Sequence, residues 1–569
     1  MFKNQPAGLY VLSLANTGER FGYYTMLAIF LLFLQAKFGF DATVSGQIYA
    51  GFLAMVYFMP LIGGWVADKW SFNKCVLTGI IVMFIGYAIM SIPTSIRSNG
   101  SLAILLVALL LIAVGTGLFK GNLQVMVGDL YNSPKDSAQR DSAFSLFYMA
   151  INIGSMFAPM TATAMLNWQM GKYGLKYVDG LPALCNQFLD GKGVENELVK
   201  TATDAGLTVG SDVSAWATDY IAVLSNGYSW GFAVACVSLI VSYLIYSFGR
   251  STYRHIIVDK KAVAKEEKTE KVAELSPAQT KARVVALLLV FAVVIFFWMV
   301  FHQNGATLTE FAKTCTSSNA TGWTRIGFDV WALLSIAVGV YAIFGFFQSK
   351  KNTGRIISLC LIALVAIALY FFYSGTPDPV QGIQPQQYQQ FNPFYVVALT
   401  PVSLAIFGWL AKRGKEPSAP RKIGFGMLMA AIAYGVLCIG SAKIIGTNAS
   451  VSPNWLISTY LLLTFAELLL SPMGISFVSK VAPPKLKGSM MGGWFAATAV
   501  GNYLVSIPMI LWGKLPVWAL WGILIIICLI SAIFIFSIMK KLEAATADTP
   551  VDNSEAQQIE DLAQEDLDL

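Results

Sequence analysis

Charge is scarce in this sequence. Asp, Glu, Lys and Arg make up 12% of its 569 residues, whereas hydrophobic residues make up 56%. An average soluble domain carries about 25% charged residues, so water is not the main solvent of this chain. Apolar runs of about 20 residues, the length that crosses a bilayer core, recur along nearly the whole sequence. Their number excludes a single membrane anchor and predicts an all-α, polytopic membrane protein.

Histidine and paired cysteines are scarce as well. The sequence holds two histidines and seven cysteines, and the cysteines lack the spacing that would build a metal site. No nucleophile lies beside a base, and no loop resembles a phosphate cradle. We therefore expect no metal, no cofactor and no enzyme activity. Cys185 and Cys315 fall in two predicted outer loops, and the sequence does not decide whether they form a disulfide.

Fourteen apolar runs are predicted to cross the membrane. Because their number is even, both termini lie on one side. Lysine and arginine gather in the loops of that side, which identifies it as the cytoplasm. The same placement accounts for the net charge of +7 without a nucleic acid partner. The runs cover residues 8–36, 45–67, 74–94, 101–127, 142–166, 228–249, 284–304, 327–348, 355–374, 393–412, 422–443, 454–480, 487–511 and 516–540.

Three polar segments divide the chain: an extracytoplasmic loop, a mixed-charge cytoplasmic linker and an acidic, disordered tail. Two six-helix halves joined by a central loop are typical of secondary transporters, which bind their substrate near the bilayer midplane. The N-terminal half is predicted at 1–249 with its outer loop at 167–229, the linker at 250–283, the C-terminal half at 284–541 with an extra peripheral hairpin at 327–374, and the tail at 542–569.

Several ionisable residues lie inside the apolar runs, among them Glu19, Arg20, Lys120, His302 and Glu467. A charged side chain near the bilayer centre costs at least about 2.5 to 3.5 kcal/mol on insertion scales, so such residues need a partner or a water-filled cavity. A purely structural Lys–Glu pair stays an alternative. For His302 alone, a hydrogen-bonded structural role is the simpler interpretation.

Helical spacing places polar groups beside these charges, because residues four apart share a helix face. On the first span this spacing aligns Asn16, Arg20 and Tyr24. We expect such faces to line one central cavity with a cation at one wall and a carboxylate at the other, which suits a zwitterion. The other aligned pairs are Tyr148 with Asn152, Trp298 with His302, and Glu467 with Ser471.

Several motifs occur in a fixed order along the chain. They include ERFGYYTM in the first span, GTGLFKGN in the fourth and AFSLFYMAINIGSMFAP in the fifth, followed by FFWMVFHQNGATLTEFA, ELLLSPMGISFVSKVAP and MMGGWF. Together they resemble the proton-dependent oligopeptide transporters of the major facilitator superfamily, whose fifth-span signature is F-Y-x-x-I-N-x-G. The resemblance implies the major facilitator fold and import of di- and tripeptides, as in bacterial di- and tripeptide permeases.

The resemblance also implies roles for individual residues. Lys120 is implied to bind the peptide carboxyl end or to join Glu19 and Arg20 in proton coupling. Glu467 and Asn152 are implied to receive the amino end. For the aromatic residues taken singly, ordinary packing is an equal alternative. The remaining predicted binding residues are Tyr24, Tyr57, Tyr148, Trp298, Ser471 and Trp494.

Two positions depart from the family pattern. The family motif E-x-x-E-R reads NTGER here, so Asn16 replaces one titratable carboxylate. Three residues after the second tyrosine, where the family commonly has an arginine, this chain has Leu27. A lysine lacks the bidentate grip of a guanidinium, so we expect low affinity for free peptides or a preference for a modified carboxyl end.

These observations predict a proton-coupled symporter that imports di- and tripeptides across the cytoplasmic membrane by alternating access. Its predicted partners are the peptide, protons and the lipid bilayer, and it is expected to be monomeric. Glu19 is the first candidate for the coupling carboxylate and Glu467 the second. An uncoupled or differently selective carrier of small amphoteric solutes is the main alternative, followed by a peptide-sensing receptor.

Overall fold

The computed structural model describes residues 5–131, 140–257, 276–349, 351–442, 450–483 and 486–547 of the chain. These residues are almost entirely helical. In chain order the α-helices are α1 (Ala7–Phe38), α2 (Ala42–Lys69), α3 (Phe72–Ser91), α4 (Asn99–Asp129), α5 (Arg140–Gly171), α6 (Leu181–Leu189), α7 (Glu195–Asp204), α8 (Val213–Phe248), α9 (Pro277–Phe301), α10 (Thr307–Thr314), α11 (Val330–Gln348), α12 (Asn352–Gly375), α13 (Phe391–Ala411), α14 (Ala419–Ala442), α15 (Pro453–Val481), α16 (Lys487–Leu504), α17 (Ser506–Leu511), α18 (Val517–Ser537) and α19 (Met539–Ala547).

Fourteen stretches of the described chain are long and apolar enough to cross a membrane. They contain α1 to α5, α8, α9, α11 to α16 and α18. The chain is therefore a multi-pass membrane protein, as its apolar runs predict. The sixth spanning helix begins at Val213, before the apolar run at 228–249, because Asp212 caps it by accepting a hydrogen bond from the backbone N–H of Ala215 at 2.9 Å.

Local sequence signals set several helix ends. Gly39 ends α1 in the left-handed region with φ of 69°, a conformation that glycine adopts without steric cost. Asp41 then caps α2 through the backbone N–H of Val44. Ser276 and Gln279 form a capping box at the start of α9. The caps at the starts of α2 and α9 satisfy N–H groups that a helix otherwise leaves free there.

Each half of the bundle encloses its own hydrophobic core. In the first half α1 packs along α5 and α8, and in the second half α14 packs along α15 and α18. A Cβ added at Gly63 of α2 would lie 2.1 Å from the backbone oxygen of Gly117 in α4, so only glycine permits this close approach. The halves meet where α2 lies against α16 and where α5 lies against α13.

The hairpin of α11 and α12 lies at the edge of the second half. The two helices pack on each other, and α11 also contacts α13 and α5. Apolar side chains of α12 such as Leu364 and Phe371 are more than half exposed in the isolated chain. An apolar, exposed helix face in a membrane protein is suited to contact with lipid tails.

Amide side chains join the two halves at the end of the bundle that carries the loop between α5 and α8. Gln389 donates through Nε2 to the backbone oxygen of Ala28 in α1 at 3.2 Å. Gln386 donates through Nε2 to the hydroxyl of Thr163 in α5 at 2.9 Å. Both glutamines belong to the 3-10 helix Pro385–Gln390, which precedes α13. Uncharged hydrogen bonds therefore close the bundle here.

A buried carboxylate adds to this closure. Glu310 of α10 accepts a hydrogen bond from Nε2 of Gln35 in α1 at 2.8 Å. Lys313 donates to the side-chain oxygen of Gln35 at 2.6 Å and to Glu310 at 3.3 Å. The charge of Glu310 is thus paired within its own helix and linked to the other half by a neutral amide.

The loop between α5 and α8 folds onto the outer end of α1. Asn186 of α6 donates through Nδ2 to the backbone oxygen of Ala36 at 2.9 Å, which satisfies one of the free carbonyl groups at the end of α1. Burial raises the pKa of the Cys185 thiol to about 12. Cys185 and Cys315 are free thiols in this structure, so the disulfide that the sequence leaves open is not formed.

Two predicted segments lie largely outside the described residues. Of the linker at 250–283, residues 258–275 are outside, and the described part begins with two short 3-10 turns and ends with the start of α9. Of the acidic tail at 542–569, residues 548–569 are outside. The described start of the tail belongs to α19, where Glu543 accepts a hydrogen bond from Ser418 at 2.6 Å.

We expect Gln389→Leu to loosen the contact between the halves at the end of the bundle that carries the loop between α5 and α8. The change removes two hydrogen bonds, to Ala28 and to Thr309, each worth about 0.5–1.5 kcal/mol. Hydrogen–deuterium exchange of the outer segments should therefore become several-fold faster. Gln348→Ala, an exposed glutamine at the other end of the bundle, is the matched control. Equal exchange in both variants would contradict a closing role for Gln389.

The buried carboxyl of Asp179, in the loop between α5 and α8, predicts that the stability of the fold depends on pH. Burial raises the pKa of its carboxyl from 3.8 to about 6, although a hydrogen bond with Ser318 and the charge of Lys313 oppose the shift. Because the folded-state pKa is raised, the protonated carboxyl contributes to the stability of the fold. This contribution is fully present below about pH 4 and is lost as pH rises through about 6. Asp179→Asn should flatten the dependence of the thermal midpoint between these values, and Asp204→Asn, at an exposed position of the same loop, should not.

Candidate functional site

An ion pair lies buried on α1. Arg20 donates through Nε and Nη2 to the two carboxylate oxygens of Glu19, each at 2.5 Å, and both side chains are almost fully buried. The guanidinium carbon lies 4.6 Å from the centre of the Tyr23 ring. A bidentate, charge-assisted contact is the strongest pairing available to these groups. It neutralises two charges that the membrane interior would otherwise penalise.

An aromatic cluster connects the two halves. Nζ of Lys120 in α4 lies 4.1 Å from the centre of the Tyr57 ring in α2, a cation–π contact. The Tyr57 ring lies 6.4 Å from the ring of Trp298 and 5.7 Å from the imidazole of His302, both from the second half. Trp298 and His302 stack with ring centres 4.8 Å apart. The Tyr57 ring therefore lies between Lys120 of the first half and Trp298 and His302 of the second half.

His302 is held from the opposite side by Asn502 of α16. Nδ1 of the imidazole lies 2.5 Å from Oδ1 of Asn502, which is fully buried. Next to it, a Cβ added at Gly501 would lie 2.4 Å from the backbone oxygen of Ile295, so α16 and α9 are in close contact. The donor of this hydrogen bond depends on the tautomer of the imidazole.

A second buried carboxylate lies on α15. Glu467 accepts a hydrogen bond from the hydroxyl of Tyr148 in α5 at 3.0 Å and another from Nδ2 of Asn392 in α13 at 3.0 Å. Asn392 also donates to the hydroxyl of Thr464 at 3.0 Å. Tyr148 belongs to the first half and Glu467 to the second, so this hydrogen bond joins the halves in the interior of the bundle.

Two predicted residues lie one helical turn from this carboxylate network. Asn152 follows Tyr148 on α5 and donates through Nδ2 to its backbone oxygen at 2.9 Å. Ser471 follows Glu467 on α15 and is half-buried. Their helix faces are the ones that the four-residue spacing predicts.

Trp494 of α16 has different surroundings. Its ring lies against Gly474 of α15, where an added Cβ would come within 1.9 Å of the indole. It also packs edge-to-face against Phe291 of α9, with ring centres 6.4 Å apart. Both contacts belong to the second half, so Trp494 packs within that half.

The charged groups of the two halves lie near shared tyrosines. Tyr24 and Tyr57 each lie within electrostatic range of both Arg20 and Glu467. Lys120 lies within electrostatic range of Arg20. The first half thus presents cations and the second half a carboxylate, with phenol rings between them. We call this region the central chamber.

Sequence patterns do not single out Asn392 and Asn502. Both are uncharged amides in or beside apolar runs, where the cost of burial is smaller than for a charge and the signal is correspondingly weak. His302 is conspicuous in the sequence as an ionisable residue in an apolar run, but its position four residues after Trp298 is equally compatible with a structural role. The structure places it in the aromatic cluster beside Tyr57.

The two departures from the family pattern add no charge to the central chamber. Asn16 is buried, and its Nδ2 has no hydrogen-bond partner among the described residues. Leu27 is 8% exposed and packs within the core of the first half. Lys120 and the paired Arg20 are therefore the cations that the described helices bring to this wall.

Comparison with known proteins identifies the family. The family model described as the POT family matches residues 73–185, 205–276 and 346–516, which is more than half of the chain. The chain belongs to the POT family. This confirms the resemblance carried by the ordered motifs, and it makes the protein a membrane transporter and not an enzyme.

Curated relatives of this POT family member align along most of its length. It is 26% identical over 518 residues to dipeptide and tripeptide permease A of Escherichia coli (strain K12), which covers 88% of this chain and 83% of that protein. It is 28% identical over 535 residues to the uncharacterized transporter YclF of Bacillus subtilis (strain 168), with 90% of each chain covered. Both halves therefore have counterparts in these relatives.

Solved structures of POT transporters share the fold. A mutant of the peptide transporter POT in complex with alafosfalin matches with a TM-score of 0.65 and 22% identity over 96% of both chains. A POT family transporter in complex with thioalcohol conjugated peptide matches with a TM-score of 0.64 and 18% identity, over 95% of this chain and 98% of that one. The predicted all-α major facilitator fold is confirmed.

We expect Arg20→Met to lower the thermal midpoint in detergent, because it leaves the Glu19 carboxylate buried without its cation. Removing one partner of a buried ion pair costs about 3–5 kcal/mol. The double variant Glu19→Gln with Arg20→Met removes both charges and should recover most of the loss. Arg250→Met, at an exposed arginine, is the control. A double variant as unstable as Arg20→Met would contradict the pairing as the cause.

Proposed function

We propose that this protein is a proton-coupled symporter that imports di- and tripeptides across the cytoplasmic membrane by alternating access. One arrangement carries the proposal: Lys120 of the first half lies over the Tyr57 ring, and Tyr57 lies within electrostatic range of Glu467 of the second half. Such a pair of walls matches the two ends of a short zwitterionic peptide. Hydrogen bonds to charged groups contribute roughly 1.5 to 3 kcal/mol each.

The amino end of the peptide binds at Glu467. In the structure this carboxylate already accepts hydrogen bonds from Tyr148 and Asn392. An ammonium group that displaces Tyr148 replaces a neutral donor by a charged one and so strengthens the hydrogen bond. Asn152, one turn from Tyr148, is placed to hydrogen-bond the peptide unit. Substrate binding therefore changes a contact that joins the two halves.

The carboxyl end of the peptide binds at Lys120. The ammonium lies over the Tyr57 ring. Because the ring covers only one side of the ammonium, N–H donors remain for a peptide carboxylate. Leu27 provides no second cation beside it. A lysine binds a carboxylate as a point charge and without the fork of a guanidinium, which favours modest affinity and broad tolerance of side chains.

Proton coupling belongs to the charged groups of the chamber. Glu19, Arg20 and Lys120 lie within range of one another, so a proton on one of them changes the balance of attraction and repulsion among all three. A ligand shifts a conformational equilibrium only by its differential affinity for the states. A proton on an outward-facing carboxylate resets the ion pairs among these groups, and peptide binding then favours the occluded state.

The relatives support this assignment. Dipeptide and tripeptide permease A carries the substrate class in its name, and the solved POT structures include complexes with alafosfalin and with a thioalcohol conjugated peptide. Positive residues in the predicted cytoplasmic loops support a location of both termini in the cytoplasm. We propose a monomer, since each chain of this fold holds both walls of its own chamber.

An uncoupled carrier of small amphoteric solutes is the second candidate. It is favoured by Asn16, which removes a titratable group, and by Glu19, whose two oxygens are both engaged by Arg20. Accumulation of labelled L-alanyl-L-alanine in proteoliposomes distinguishes the two candidates. Symport requires accumulation above equilibrium with an inward proton gradient, whereas an uncoupled carrier only equilibrates the peptide at any pH.

Blocked peptides test the two walls separately. Wild type should bind L-alanyl-L-alanine about tenfold or more tightly than its N-acetyl form and its C-terminal amide, because each block removes one charged hydrogen-bonding group worth about 1.5 to 3 kcal/mol. Glu467→Gln should lose only the discrimination against the N-acetyl form, and Lys120→Gln only that against the amide. Competition against a labelled reporter peptide measures both. Loss of the opposite discrimination in either variant would reverse the proposed orientation.

A further inference from the structure

A cavity of about 230 Å³ lies at the end of the bundle that carries the loop between α5 and α8. One water molecule occupies roughly 30 Å³ in the liquid, so the cavity has room for a small ligand. Its walls come from the end of α1, the start of α2, the loop with α6, α8 and α10. Because α10 belongs to the second half and the other elements to the first, both halves enclose it. We call it the outer cavity.

Two tyrosine hydroxyls at the outer cavity are available to a ligand. Tyr177 of the loop and Tyr228 of α8 both line the cavity, and they lie within electrostatic range of each other. Tyr228 is only 1% exposed. Among the described residues, neither hydroxyl has a hydrogen-bond partner. A buried phenol normally has one, so these two hydroxyls are unused donors and acceptors beside an open volume.

One carboxylate and one ammonium at the outer cavity are also without an ion partner. Asp41 and Lys192 line the cavity, and in the described part of the chain no salt bridge engages either of them. Asp41 caps α2 through one oxygen, which accepts the N–H of Val44 at 2.8 Å, and its other oxygen is unused. Asp190, which lines the cavity too, is paired with Arg97.

The second half contributes one more donor. Lys313 of α10 lines the outer cavity and donates to Gln35 at 2.6 Å and to Glu310 at 3.3 Å. An ammonium has three N–H donors, so one donor of Lys313 remains for a ligand. Gln35 and Glu310 are bound to each other at 2.8 Å. This wall therefore holds its own charges in place and offers a cation to an anionic group.

Apolar side chains separate these charges. Leu32 and Pro182 are buried, Phe40 is half-buried, and all three line the outer cavity together with the rings of the two tyrosines. A ligand that matches this lining carries an ammonium, a carboxylate and a small, partly apolar body. Its ammonium pairs with Asp41, and its carboxylate pairs with the lysines. Those are the chemical features of a short zwitterionic peptide.

We propose that the outer cavity is a second binding site for a short zwitterionic peptide, and that a peptide bound there holds the outer ends of the two halves together and slows import. The inference rests on the proposed function, because the ligand is the proposed substrate. It places that substrate at residues other than those of the central chamber.

The inhibitory effect follows from where the walls lie. Asp41 and Lys192 belong to the first half and Lys313 to the second, so a peptide that contacts all three binds best when the outer ends are in contact. A ligand shifts a conformational equilibrium by its differential affinity for the states. Import requires the outer ends to separate so that peptide can enter the central chamber. High external peptide therefore opposes its own import.

The first test counts binding sites by equilibrium dialysis of labelled L-alanyl-L-alanine against the protein in detergent. Wild type should bind two peptides per chain. Asp41→Asn should weaken one site at least tenfold, because asparagine still caps α2 but lacks the charge. Asp212→Asn makes the same change at the cap of α8, outside the cavity lining, and should bind as wild type does.

Glu467→Gln separates the outer site from the central one. It should weaken the site that Asp41→Asn leaves intact. A wild type with a single site that responds to Glu467→Gln and not to Asp41→Asn overturns the inference alone. A single site that responds only to Asp41→Asn supports the outer site and overturns the proposed central one.

The second test measures the rate of peptide uptake by intact cells against rising external L-alanyl-L-alanine. The wild-type rate should pass through a maximum and then fall at least twofold. Lys192→Gln should rise to a plateau, because its outer cavity loses a cation. Lys200→Gln, at an exposed lysine of α7, is the matched control and should follow wild type. A wild-type rate that reaches a plateau, or an equal fall in Lys192→Gln, would contradict inhibition from the outer cavity.

Discussion

The cost of an unpaired charge in hydrocarbon governs this structure. Each charge that the first half buries has a partner: Glu19 and Arg20 bind one another, and Lys120 lies on an aromatic ring. In the second half Glu467 is satisfied by two neutral donors. Among the described residues no salt bridge joins Lys120 to Glu467, so in the proposed function each can pair with one end of the peptide.

The two halves are built as separate cores with few polar contacts between them. Each core is a continuous set of buried apolar side chains, and packed cores move as units. The contacts that join them include neutral amide hydrogen bonds, such as those of Gln386 and Gln389, and hydrogen bonds to carboxylates, such as that of Tyr148 to Glu467. The neutral bonds are each worth about 1 kcal/mol and those to charged groups about 1.5–3 kcal/mol, so a ligand that replaces one of them can shift the arrangement of the halves.

Neutral amides position the chamber's titratable groups. Asn392 holds Glu467, and Asn502 holds His302. In the proposed function the charged residues bind the substrate, and these amides hold their side chains in place. The two departures from the family pattern, Asn16 and Leu27, remove charge from the same wall, which increases the weight carried by Lys120 and by the groups that contact its aromatic ring.

The sequence by itself determined the membrane fold, the number of spans and the family, because apolar runs of bilayer length and ordered motifs are local properties. It also identified Glu19, Lys120 and Glu467, since a charge inside an apolar run is conspicuous by its cost. Only the tertiary structure decided which groups meet. The contacts of Tyr148 with Glu467, of Tyr57 with Lys120 and with His302, and of Gln386 and Gln389 join helices far apart in the chain. Their distances follow from packing that no local pattern encodes.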